Sequence, residues 1–252
     1  MTGRAAKDIS KRPLARPAFY ALGSGGWRDY VTLLHPPYTL WHLSYVAIGA
    51  GLAPDFSGRR LAAALAAFFL ALGVGAHALD EIRGRPLQTR IPARLLVVLA
   101  VASIAGAVAI GIASALAWTA WLLPFIAFGG FIVVAYNLEL FGGRFHNDLW
   151  FALSWGAFPL LTGYFVVAEE LRVEALLASA FAALLSHAQR LLSTPVRFLR
   201  RRVRTVSGTI ELVDGAREPV TAETLLRTPE RVLQVLAAAT VALAAALVLF
   251  RV

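Results

Sequence analysis

Cysteine is absent from all 252 residues, which excludes a disulfide framework and any thiolate metal site. Charge is scarce as well. Asp, Glu, Lys and Arg make up 15% of the chain against 58% hydrophobic residues, and the mean hydropathy of +0.67 lies outside the range of an ordinary soluble domain. The first 37 residues have no apolar core and read as lacking a cleavable secretion signal; Arg4, Lys7, Lys11, Arg12, Arg16 and Arg28 make them a basic cytoplasmic arm. No short-period repeat is visible, and no polar segment is long enough for a second domain.

Long apolar runs fill most of the rest. Stretches at 61–76, 95–138, 149–168, 175–186 and 232–250 carry almost no charge, and about 20 residues rising 1.5 Å each cross the hydrocarbon of a bilayer. The run 95–138 is long enough for two crossings with a reversal near Ala117–Thr119, and a weaker first span lies at 38–54. These add up to an all-α, polytopic transmembrane helical bundle of about seven spans. The chain divides into the arm at 1–37, the bundle at 38–194, a basic cytoplasmic loop at 195–231 and a final span at 232–252. Within the loop, the Val- and Ile-containing stretch around Asp214-Gly215 predicts a small hairpin, and Thr221 to Glu230 a short surface helix.

The formal charge of +9 raises nucleic acid as a partner, but its placement argues for a membrane instead. Arg83, Arg85, Arg90 and Arg94 follow the second span, Arg144 the fourth, and Arg190, Arg197, Arg200, Arg201, Arg202 and Arg204 the sixth. Under the positive-inside rule these loops and the amino terminus are cytoplasmic, Glu169, Glu170 and Glu174 are outside, and seven spans leave the carboxyl terminus outside. Arg59 and Arg60 run against that scheme. The expected location is a cell membrane of bacterial or archaeal type. Trp27, Trp118, Trp121, Trp150 and Trp155 fall near span ends, where aromatic rings anchor at the interface, and paired glycines such as Gly156 and Gly163 suit close helix packing.

All five histidines and most membrane-depth carboxylates fall at the same ends of the spans. An ionisable group at that depth costs roughly 2.5–3.5 kcal/mol, so each is a functional candidate. His77, Asp80 and Glu81 share one helix face by their spacing. That face suits a divalent metal, or a helix end salt-bridged to Arg83 and Arg85. Tyr136 to Asp148 brings Asn137, Glu139, Arg144 and His146 to the same side, with Gly142-Gly143 permitting the reversal and Asn147 and Asp148 placed as helix caps. Ser186 to Arg204 adds His187, Arg190 and Arg197 without any acid, a pattern suited to phosphate oxygens or to anionic lipid. His35 and His42 lie at the start of the first span.

In the order of these parts, residues 30–205 resemble the UbiA superfamily of intramembrane prenyltransferases. The matching features are the HPPYTLWHLSYVAIGAGLAP first span, the acidic end of the second span with Arg85-Pro86-Leu87 beyond it, Tyr136 to Arg144 ending the fourth, and the glycine-bearing LWFALSWGAFPLLTGYF. The resemblance implies transfer of a prenyl group from an isoprenyl diphosphate to a lipid or aromatic acceptor, with Mg²⁺ as cofactor and membrane lipids as surroundings. It implies His77, Asp80, Glu81 and His187 as metal-side residues. Asp80, Glu81, Glu139 and His146 would be catalytic, and Arg83, Arg85, Asn137, Arg144, Arg190 and Arg197 would hold the substrate. The chain departs from the family pattern at its second acidic motif, which has no acid between His187 and Arg204, and it lacks the last pair of spans. Two other readings stand beside this one. In the first, His42, His77, His146 and His187 with Glu81 and Glu139 form an iron or zinc site of a membrane lipid oxidase, desaturase or hydrolase. In the second, the fold is a non-catalytic lipid-binding protein.

Overall fold

The structure, a computed structural model, describes residues 16–252; Arg4, Lys7, Lys11 and Arg12 of the basic arm lie outside the described residues. A short helix α1 (Trp27–Leu33) precedes α2 (Pro36–Leu52). There follow α3 (Gly58–Ile82), α4 (Ala93–Ala117), α5 (Ala120–Asn137), α6 (Asp148–Ala168), α7 (Val173–Arg202) and, after a hairpin, α8 (Ala222–Arg251). Among the described residues, six helices, α3 to α8, are long and apolar enough to cross a membrane, which is consistent with an integral multi-pass protein. Helix α2 has 17 residues and is well enclosed: Trp41, Tyr45, Val46 and Ala50 are fully buried between α6 and α8.

The reversal expected near Ala117–Thr119 is there. Helix α4 stops at Ala117, and the Thr119 side chain caps the next turn by accepting from Trp121 N. The hairpin around Asp214-Gly215 is also there, as β1 (Gly208–Glu211) paired antiparallel with β2 (Arg217–Val220). Two boundaries differ from the sequence reading. Helix α7 runs on to Arg202, past the expected edge at 194, and Thr221 caps a helix that continues without a break from Ala222 to Arg251, so the surface helix and the final span are one element. Pro195 and Pro229 lie inside these helices. Both helices extend beyond their apolar runs, and a half-buried ion pair, Arg200 to Glu230, ties their polar ends together. The fold is therefore helical with one two-stranded hairpin.

Glycine sets the closest approach in the bundle. A Cβ on Gly49 would lie 2.0 Å from Leu160 O, and one on Gly163 2.2 Å from Val46 O, so α2 and α6 touch backbone to backbone. On the next contact, Gly156 would meet Ala182 O of α7 at 2.5 Å. A Gly163→Val protein is expected to yield little monodisperse material on size-exclusion chromatography in detergent. Gly130→Ala, where the nearest atom is 3.8 Å away, should elute like the parent.

At the end opposite the histidines, Arg60 donates to Val166 O and Val167 O and pairs with Glu169 at 2.6 Å. Its charge is thus neutralised locally by an acid and by the carbonyl end of α6.

Candidate functional site: a polar chamber above an apolar cleft

Helices α3 and α6 each change to π-helical winding where they approach the polar end of the bundle, over Phe69–Ala76 and Ala152–Ala157. Such segments are frequent at functional sites, because the altered register turns side chains and carbonyls out of the regular ladder. Each serves a histidine. His77 Nδ1 lies 3.0 Å from Gly73 O in the first segment, and His42 Nδ1 lies 2.8 Å from Trp155 O in the second. His146 Nδ1 likewise meets Tyr136 O at 3.0 Å. With Nδ1 donating to a carbonyl, each ring keeps Nε2 as its free acceptor.

The histidines stand in an aromatic and charged cluster. His35 stacks on His77, with centroids 4.0 Å apart and planes 13° from parallel, and Tyr20 packs on His35 and Tyr38. His35 caps α2 in a left-handed conformation, φ 46°, which costs about 1 kcal/mol or more for a residue with a Cβ. Among the described residues its Nε2 is buried without a partner, as is the Tyr136 hydroxyl. Asp80, one turn beyond His77, lies within electrostatic reach of Arg201, Arg197 and His146 and makes no side-chain hydrogen bond among the described residues. Arg197 donates to Thr194 Oγ1, and Arg201 to Pro17 O. Arg190 pairs with Asp148 at 2.8 Å and lies over the Phe151 ring, while His146 packs on Tyr136 at 4.4 Å.

The segment before α2 is more than an arm. Leu22 N donates to Thr32 Oγ1, and Asp29 accepts from Gly25 N and from Arg90 N, so residues 16–35 fold across this end of the bundle. Arg200 and Arg201 hold its start through Arg16 O and Pro17 O. Tyr20 is thereby half-buried, and desolvation raises its phenol well above the ordinary value, so it remains a hydrogen-bond donor.

His35 is likewise held well below the ordinary histidine value of 6.5, first by burial and then by the positive charge of His77, Arg201 and Arg197. The folded protein keeps this ring neutral while an unfolded chain would take up a proton below 6.5. Stability is therefore full above that value and declines as pH falls below it. The melting temperature in detergent is expected to drop from about pH 7 to about pH 5, and to drop less in His35→Asn.

Several expected residues stand elsewhere. Glu81 is fully buried, and its carboxylate accepts from Leu87 N at 3.0 Å, Thr89 N at 2.9 Å and Thr89 Oγ1 at 2.8 Å. Arg85 closes the same loop through Thr89 O and Ile91 O. Glu139 pairs with Arg83 at 2.8 Å on the exposed rim. Asn137 donates to Val133 O in its own helix, and Arg144 is exposed. His187 is half-buried on the stripe of α7 that carries Arg190 and Arg197. Among the described residues no three His, Asp or Glu side chains converge as a metal-binding group.

Below the chamber lies a cleft between α3, α4, α5 and α6, lined almost wholly by apolar atoms. Leu72, Ile132, Val133 and Trp155 close its upper end, and Ala63, Ser114 and Leu122 lie toward the other. Those four upper residues pack in one cluster with Ala76 and Tyr136. Trp155 is not an interfacial anchor, as its position near a span end suggested; it is buried, tilted against Tyr136 with ring centroids 4.4 Å apart, with its carbonyl on His42. The Ser154 hydroxyl is buried beside it without a partner among the described residues.

Sequence reasoning missed Tyr20, Tyr38, Tyr136 and Arg201. Arg201 was within reach, since it follows Arg197 by four residues on the same helix face. Tyr136 begins a segment already singled out, but a neutral phenol carries no membrane-depth charge to mark it.

Fold and site together give a helical bundle, consistent with a multi-pass membrane protein, that has a polar cluster at one end and an apolar cleft beneath it. No family model, curated protein or solved structure matches the chain.

Proposed function

We propose that the protein is an intramembrane prenyltransferase that takes an isoprenyl diphosphate from the plane of the membrane and alkylates a lipid or aromatic acceptor. One observation carries this reading: the apolar cleft ends at Trp155, which packs on Tyr136, and beyond Tyr136 stands a polar cluster of Asp80, Arg190, Arg197 and Arg201. An amphiphile with a long hydrocarbon tail and a compact anionic head has that same division. The UbiA-like order of parts in the sequence supports the same substrate class.

In the reaction, the bond between the allylic C1 and the diphosphate oxygen breaks, and the electron pair leaves with the diphosphate. A bond forms between C1 and the nucleophilic atom of the acceptor, which then loses a proton. Arginines beside the leaving group stabilise the negative charge that develops on it. Asp80 is placed to take the proton, because its carboxylate has no hydrogen-bond partner among the described residues. Tyr136 and Trp155 wall the junction between chamber and cleft and keep water from an allylic cation.

The residues present do not fit the paired magnesium clusters of the family. Glu81 is saturated by three donors, and Asp80 is the one carboxylate of the chamber left without a partner among the described residues. Orientation follows from charge. The chamber end carries the arginine-rich loops, whereas Asp55, Glu169, Glu170 and Glu174 lie at the other, so the chamber faces the cytoplasm. If α2 also crosses, seven spans put the carboxyl terminus outside.

The test is incubation of purified protein with labelled allylic diphosphates and membrane extract, with Mg²⁺ present and with Mg²⁺ chelated. Release of diphosphate with formation of a prenylated lipid is expected. Absence of release and of binding under both conditions would exclude the reading.

A further inference from the structure

We infer that the anionic head is held and neutralised by the guanidinium groups of α7, so that recognition of the diphosphate needs no divalent metal; the inference rests on the prenyl diphosphate reading above. The carboxylates at the chamber end account for themselves one by one. Asp29 serves Gly25 N and Arg90 N, Glu81 the 87–89 loop, Glu139 Arg83, Asp148 Arg190, and Glu230 Arg200. Asp80 remains, and its strongest electrostatic neighbours are Arg201, Arg197 and His146. A cation approaching Asp80 therefore enters a field that is already positive. A phosphate approaching the same point is attracted.

The donors for such a phosphate are on one stripe. Arg190, Arg197 and Arg201 are separated by seven and four residues, which places them along a single face of α7 over roughly 16 Å. A guanidinium has five N–H donors. Among the described residues, Arg197 and Arg201 each spend one, on Thr194 Oγ1 and on Pro17 O. The remaining donors are free for the bidentate contacts that favour arginine over lysine at phosphate. Asp148 already compensates Arg190, whereas Arg197 and Arg201 have only Asp80 as an acid within electrostatic reach, so two guanidiniums face one carboxylate at this place. The buried Tyr136 hydroxyl has no partner among the described residues and lies within electrostatic reach of both Arg190 and Arg197, which makes it a neutral donor to the same head.

The experiment is equilibrium binding of farnesyl thiodiphosphate, whose C1–S bond resists cleavage, to the full-length protein in lipid nanodiscs. It is run in EDTA and in Mg²⁺, for the parent and for Arg197→Gln, Arg197→Lys and Arg201→Gln, with inorganic diphosphate as competitor. The expected result is the same affinity in EDTA and in Mg²⁺ and a loss of roughly tenfold or more in each glutamine variant. The lysine variant should fall in between, because charge is kept and the fork is lost. Inorganic diphosphate should compete, but more weakly than the prenylated ligand, because it leaves the cleft empty. Binding that collapses on chelation, or binding in EDTA that ignores both arginines, would overturn the inference while leaving the prenyl reading in place. No binding in either condition would remove the prenyl reading itself. The chelation comparison on the parent protein decides the matter even if a variant fails to fold.

Discussion

Asp80→Asn is expected to lower prenyl transfer by about 10²- to 10⁴-fold while leaving binding of the diphosphate donor unchanged or tighter. The two effects have opposite signs for one reason. On the proposed reading the carboxylate takes the acceptor's proton, so losing it removes the base. It also stands beside Arg197 and Arg201 with a charge of the same sign as the donor's head, so losing it frees both guanidiniums for phosphate. A residue with only a structural role would weaken turnover and binding together. Rapid-quench turnover and equilibrium binding on the same preparation separate the cases, and loss of donor affinity in Asp80→Asn would contradict a role for this carboxylate as the base.

Filling the cleft is expected to act by chain length. Ala67 lines it midway along α3, and Ala63 lies one turn further from the chamber. The distance from Leu72, at the upper end, is roughly 7 Å to Ala67 and roughly 13 Å to Ala63. Ala67→Phe should abolish turnover of long donors, roughly a hundredfold or more in kcat/KM, and spare the shortest. Ala63→Phe should cut only the longest. Competition between donors of different length in one reaction measures the ratio directly. Equal losses for all lengths would mean that the tail lies elsewhere.

Much of the scaffold was legible in the sequence. The apolar runs gave six of the helices, the length of 95–138 gave the reversal at Trp118–Thr119, and Asp214-Gly215 gave the hairpin turn. The ends of α7 and α8 were not legible, because hydropathy falls where Arg200 and Glu230 begin, and only the partner helix turns those charges inward. The folded segment 16–35 was hidden for a similar reason. It holds itself through Thr32, Asp29 and backbone groups and has no apolar run to announce it.

At the site, the common side of the five histidines was readable from span order, but the fate of each side chain was not. Asp80 and Glu81 are neighbours with the same chemistry. One faces the chamber and the other is taken up by two backbone N–H groups and a hydroxyl six to eight residues on. Nothing in the spacing distinguishes them, since the difference is made by the path of the loop after Pro86. Glu81→Ala is accordingly expected to destabilise the protein by about 3 kcal/mol or more, as three buried donors lose their acceptor. Thermal unfolding in detergent checks it.

The most direct measurement of where the isoprenoid tail lies is photocrosslinking of an isoprenyl diphosphate that carries a diazirine at the far end of its tail, followed by peptide mapping. With the tail in the cleft, adducts are expected on residues such as Ala107, Gly111 and Phe158, suppressed by unlabelled donor. Adducts confined to outward-facing residues such as Leu116 and Leu184, and indifferent to competitor, would contradict it.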